Sequence, residues 1–110
     1  MSKVRTNTNS DTNSDNTTPE PATVLQQAHQ IIYGDRERTY GKPEKNLQTI
    51  ADYWSTHLSS VFNEKLTLTI DDVCSMMILL KTARLANDPH HKDSLVDICG
   101  YAALSERCKQ

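Results

Sequence analysis

The segment Ile70 to Ala86, IDDVCSMMILLKTARLA, constrains this chain more than any other. Its apolar residues do not keep to one stripe. Val73, Met76, Met77, Ile78, Leu79 and Leu80 fall nearly all round a helix. A helix of that kind lies centrally among others or at a subunit interface. Thr69 with Asp72 three residues on marks its start, a capping-box pattern with Asp in place of the usual Glu. Asn87, Asp88 and Pro89 end it.

Three further helices are expected around it, and no segment reads as a strand. The first is PATVLQQAHQIIYG, where Val24, Leu25, Ala28, Ile31 and Ile32 recur at helical spacing and Gly34 supplies the stop. The second opens at Pro43, a favoured first-turn residue. Leu47, Ile50, Ala51, Trp54, Leu58 and Val61 then trace its stripe to Phe62. The last runs from Lys92 to Arg107, with Leu95, Ile98, Cys99, Ala102 and Ala103 expected inward. Gly100 is internal to that helix, where Gly costs about 1 kcal/mol against Ala, so a close approach by a helix or ligand is expected there.

The expected architecture is therefore all-α, a four-helix antiparallel bundle-like domain over residues 21–110. Residues 1–20 are rich in Asn, Thr and Ser, with Met1 and Val4 as their only apolar residues, and are expected to form a disordered tail. No apolar run approaches the roughly 20 residues of a spanning helix, and no signal peptide is legible. The net charge of −2 offers no basic excess for nonspecific nucleic-acid binding. Three cysteines, none in a CxxC pair, read as reduced thiols of a cytosolic protein. A core of about ninety residues is thin, and the third helix carries more apolar surface than it can cover, so a homo-oligomer is expected.

Ionisable groups crowd against the most apolar helix. Lys81 and Arg84, three residues apart, share a helical face. Asp93 and Asp97 form an acidic row on the next helix, and Tyr101 extends it. One reading is an ion-pair network that fixes the register of two helices, with long stems covering apolar surface. The other is a polar pocket in which the cations hold phosphate and the acids hold a metal or sugar hydroxyls. His91, in the turn before the last helix, is either an ordinary turn histidine or a phosphate donor. The loop GDRERTYGKPEKN is a second candidate wall, with Arg38 for phosphate and Tyr40 for stacking on a base. Gly41 would permit a tight turn there. His29 and His57 read as helix-surface residues.

The segments GDRERTYGKPEKNLQTIADYWS and DDVCSMMILLKTARLANDPHHKDSLVDICGYAAL resemble a small family of uncharacterised proteins found mainly in phages and prophages. The resemblance covers residues 24 to 105 and implies a phage context and a helical fold. DSLVDICGYAAL is also similar in layout to the last metal-binding helix of the all-α nucleoside triphosphate pyrophosphohydrolases, the MazG-like superfamily. That resemblance implies Mg2+, with Asp97 at the position of the family's final Asp and Asp93 in support. The chain departs from it elsewhere: Ser94 stands where the preceding Glu would be, and no E-x-x-E helix exists. Magnesium wants several hard oxygen ligands, so the resemblance supports a nucleotide-sized pocket better than hydrolysis.

Three functions are expected from these residues. The first is a protein of the host cytosol that binds a phosphorylated, nucleotide-like small molecule, to sequester it or to control nucleotide pools. Lys81, Arg84, His91 and Arg38 would contact phosphate, and Asp93 and Asp97 a metal or ribose. The second is a divergent Mg2+-dependent nucleotide pyrophosphohydrolase. The third is a non-enzymatic module that binds a host protein through its apolar helix, with the charged row merely structural.

Overall fold

The computed structural model describes residues 20–35 and 41–108. The expected tail, residues 1–20, lies outside the described residues apart from Glu20. The described chain is all-helical: α1 (Val24–Gln30) continues as a π-helical turn (Ile31–Asp35), and α2 (Pro43–Phe62), α3 (Ile70–Leu85) and α4 (Lys92–Arg107) follow. No helix among the described residues is long and apolar enough to cross a membrane.

Local chemistry fixes the helix ends. Thr69 accepts from the Asp72 backbone N–H while the Asp72 carboxylate accepts from the Thr69 N–H, so the expected capping box is formed with Asp in the Glu position. Thr23 and Gln26 build a second box on α1. That box matches the sequence signature and was not among the expectations. Pro43 opens α2 as expected and is itself fully buried. Asn63 ends α2 at φ 52°, in the left-handed region that Asn tolerates better than most residues. Gly34 does not stop the first helix. The chain passes through it in the π-helical turn, and positive φ appears instead at Gly41, at 79°.

α3 and α4 run antiparallel. Lys81 pairs with Asp97 at one end, and Ser105 Oγ donates to Asp71 at the other, 2.7 Å away. The chain also reverses along α2. The Leu66 and Leu68 backbone N–H groups donate to Ser59 Oγ and Ser55 Oγ, at 2.8 and 2.7 Å, which ties the 63–69 connection down the side of α2. α1 differs: it lies parallel to α4. Lys92 Nζ donates to the Ala22 carbonyl at 2.6 Å, and Arg107 donates to the Ile32 carbonyl at 3.0 Å. The helices contact one another in the order α1, α4, α3, α2, so α4 has a neighbour on two sides.

The core gathers Ile32, Leu47, Ala51, Ile70, Val73, Cys74, Leu104 and Cys108. Leu47, Val73 and Leu104 are fully enclosed, and burial of each stabilises the fold by roughly 1.5–3 kcal/mol. Cys74 and Cys108 are buried and Cys99 is half-buried, all as thiols. The inner face of α4 differs from expectation. Val96 and Leu104 are buried with Ser94, Leu95, Ile98 and Cys99 are half-buried, and Ala102 is exposed. A helix held between α1 and α3 hides two faces rather than one, so a single stripe does not describe it. Gly100 is not required for helix approach: a Cβ there would meet Ile32 Cδ1 at 3.9 Å, an ordinary contact.

Candidate functional site

The acidic and basic rows meet at one pair only. Lys81 Nζ lies 3.0 Å from Asp97 Oδ2, with Lys81 17 % and Asp97 38 % exposed. The pair bridges α3 and α4 and closes the gap between them at that level. Arg84, one turn further along α3, is exposed and makes no ion pair among the described residues. Asp93 is exposed in the first turn of α4, where a carboxylate favours the helix dipole. Asp93 and Asp97 gather no third ligand: among the described residues, no three His, Cys, Asp or Glu side chains converge. Arg38 and Tyr40 lie outside the described residues.

His91 is the N-cap of α4. Its Nδ1 accepts from the Ser94 backbone N–H at 3.2 Å and lies 2.8 Å from Ser94 Oγ. An Nδ1 that accepts this bond places the ring proton on Nε2. Ser94, which stands where the pyrophosphohydrolase pattern has Glu, is buried and takes part in this cap. A short buried side chain that partners a capping ring cannot also reach a metal as a Glu would.

Behind Asp97, α1 and α4 leave a pocket of about 40 Å³ lined largely by Ala28, Ile32, Val96, Gly100 and Leu104. Ligand pockets run from about 300 Å³ upward, so this space has the size of a water cluster and not of a nucleotide. A wider, shallow depression of about 400 Å³ is lined by His29, Gln30, Tyr33 and Gly34. The rings of His29 and Tyr33 sit 4.8 Å apart, and the Arg107 guanidinium lies 5.2 Å from the Tyr33 ring centre. The expectations put His29 on the surface, which it is, but missed its pairing with Tyr33. The four-residue spacing of His29 and Tyr33 carried that signal. The approach of Arg107 did not show in the sequence, because it depends on α1 lying parallel to α4.

Apolar side chains are also left uncovered among the described residues. On the outer side of α3, Met76, Leu79 and Leu80 are 39, 66 and 50 % exposed. Ser75 and Ala83, also exposed, complete that face. At the end of α2, Val61 and Phe62 are exposed too, beyond the level at which α3 begins to cover the helix.

Comparison with known proteins agrees with the phage resemblance. Residues 23–109 match the family described as Domain of unknown function (DUF6378). The chain is 36 % identical over 84 residues to the Gene 55 protein of Mycobacterium phage D29, covering 76 % of this chain and 52 % of the relative. It is 39 % identical over 84 residues to the Gene 55 protein of Mycobacterium phage L5, covering 76 % and 51 %. The chain thus spans about half the length of these relatives. No solved structure matches it. The two relatives are phage proteins, the family match runs from the α1 cap to the end of α4, and the chain belongs to the DUF6378 family.

Proposed function

We propose that this domain is a non-enzymatic protein-interaction module that docks a partner protein on the outer face of α3. The observation that carries the reading is the exposure of Met76, Leu79 and Leu80 on a helix capped at its start and anchored on its inner side. Contiguous apolar surface that the fold itself leaves uncovered marks an interaction site. An ordered helix also presents it without the entropy cost of folding on contact. The Lys81–Asp97 pair then serves to hold α3 and α4 in register, which is what partly buried ion pairs do best.

The test is a photoreactive amino acid placed at position 79 in the chain as expressed in phage-infected cells, with adducts identified by mass spectrometry. A discrete protein adduct, absent when the probe sits at exposed position 102, is the expected result. Equal labelling from both positions, or none from 79, would overturn the reading.

A second reading, binding of a phosphorylated nucleotide-like molecule, is favoured by the depression beside Tyr33. It has room for a nucleotide, an aromatic ring for stacking, and the Arg107 cation nearby. Lys81, Arg84, His91 and Asp97 lie on the α3–α4 side instead. A divergent Mg2+-dependent pyrophosphohydrolase, with Asp97 and Asp93 on the metal, would instead work on the α3–α4 side, away from this depression. A thermal-shift panel of nucleotides with and without Mg2+ separates these from the interaction module. A bound ligand at about 100 times its Kd adds about 2.7 kcal/mol of stability. Pyrophosphate release in the same panel identifies the enzyme, and the Asp97→Asn variant should then abolish it.

A further inference from the structure

We propose that α1 and its π-helical turn form a strap, residues 22–35, that opens from α4 as one unit while α2, α3 and α4 stay folded. Opening uncovers the α4 row Val96, Gly100 and Leu104. The strap rests on α4, on the side away from α3, so the proposal stands apart from the interaction reading. Its buried side chains are Ala28 and Ile32, and of these Ile32 alone joins the main core. Leu25, Ile31 and Tyr33 are open to solvent. The seam beneath the strap is not filled. The pocket of about 40 Å³ lies there, between Ala28 and Ile32 on one side and Val96, Gly100 and Leu104 on the other. Side chains that border such space forgo dispersion contacts that a close-packed core makes.

Polar clamps close the strap at its two ends. Lys92 Nζ donates to the Ala22 carbonyl at the start, and Arg107 donates to the Ile32 carbonyl at the finish, its guanidinium beside the Tyr33 ring. Both clamps are α4 side chains on backbone carbonyls, and Ile32 is the apolar latch between them. The strap cannot keep its shape alone. An α-helix of seven residues falls short of the roughly 12 that a free helix needs in water, even with the Thr23–Gln26 capping box. The π-helical turn that extends it is a rare form, found mostly at functional sites. Leaving α4 therefore melts the strap, which is a local unfolding of low free energy. The remaining helices have their own support. The Lys81–Asp97 pair and the Ser105–Asp71 bond tie α4 to α3, and Leu47, Ala51, Val73 and Cys74 are enclosed between α2 and its neighbours.

The experiment is native-state hydrogen exchange of the whole chain, in urea below its unfolding transition, read by mass spectrometry. After correction for intrinsic rates, peptides spanning 24–35 should exchange about a hundredfold faster than those from α3. Their dependence on urea should be shallower, because a local opening exposes less surface. Lys92→Ala and Arg107→Ala should each speed exchange in the strap about tenfold and leave α2 and α3 unchanged. Equal protection and equal urea slope for the strap and α3 would overturn the proposal. So would clamp variants that leave the strap's exchange unmoved, or that speed every helix alike.

Discussion

The two sides of α3 have nearly the same chemistry and opposite fates. On the inner side Ile70, Val73 and Cys74 are enclosed by α2 and α4. On the outer side Met76, Leu79 and Leu80 face open space. Hydrophobicity alone does not separate the two groups, and residue size does not either. Position along the array does: α2 and α4 cover α3 from one side, and α1 is spent on the far side of α4. An apolar side chain stabilises the monomer only where a neighbouring helix arrives. Elsewhere the same side chain remains exposed surface and adds little to the stability of the chain.

Substitutions can break that contrast or sharpen it. The largest effect is expected on the inner side: Leu104→Ala, which empties the core beneath α3, should cost about 2–5 kcal/mol in urea denaturation. A loss well below 1 kcal/mol would mean that the inner side is not the structural one. Thr69→Ala removes the side-chain cap that starts α3 and should cost about 1 kcal/mol, with part of the helical signal lost first. Gly100→Ala should move the other way, raising stability by up to about 1 kcal/mol. It replaces the poorest ordinary helix former, and its new methyl meets Ile32 only at normal contact distance. A destabilised Gly100→Ala chain would show that α1 sits closer to α4 than 3.9 Å allows.

Smaller effects test the polar seam and the outer face. A double-mutant cycle on Lys81 and Asp97 should give a coupling of about 0.5 kcal/mol, kept low because the Asp97 carboxylate is more than one-third open to solvent. Leu79→Ser should change the stability of dilute protein by no more than about 0.5 kcal/mol. If Leu79→Ser unfolds the dilute chain as readily as Leu104→Ala, the two sides of α3 do not differ and the outer face is part of the core.

Much of the fold was legible because its signals are local. Pro43 announced α2, and Thr69 with Asp72 announced α3. Asn87 to Pro89 ended α3, and hydrophobic spacing placed the start and end of α4. Each involves residues within about one turn of one another, so no knowledge of the rest of the chain is needed. The candidate site was less legible. Lys81 and Asp97 were brought together as the two rows suggested, but Arg84 and Asp93, drawn into the same constellation, point to solvent. His91 was read as a turn residue or phosphate donor, and its role as the cap of α4 had no familiar signature, since an imidazole seldom fills it. The inward residues of α4 were placed only in part, with Ala103 against the core but Ala102 exposed, because periodicity assumes one buried face, whereas this helix has two.

The sequence by itself determined four helices, the ends of the last three, and the presence of one helix too apolar for its surroundings, because caps, breakers and short-range spacing act along the chain. Only the tertiary structure decided which side of that helix is covered, that α1 runs with α4 rather than against it, and that Lys81 meets Asp97 while Arg84 does not. Those outcomes depend on where helices distant in sequence come to rest against one another. The free energy of burial follows contact in space, and adjacency in the chain does not specify it.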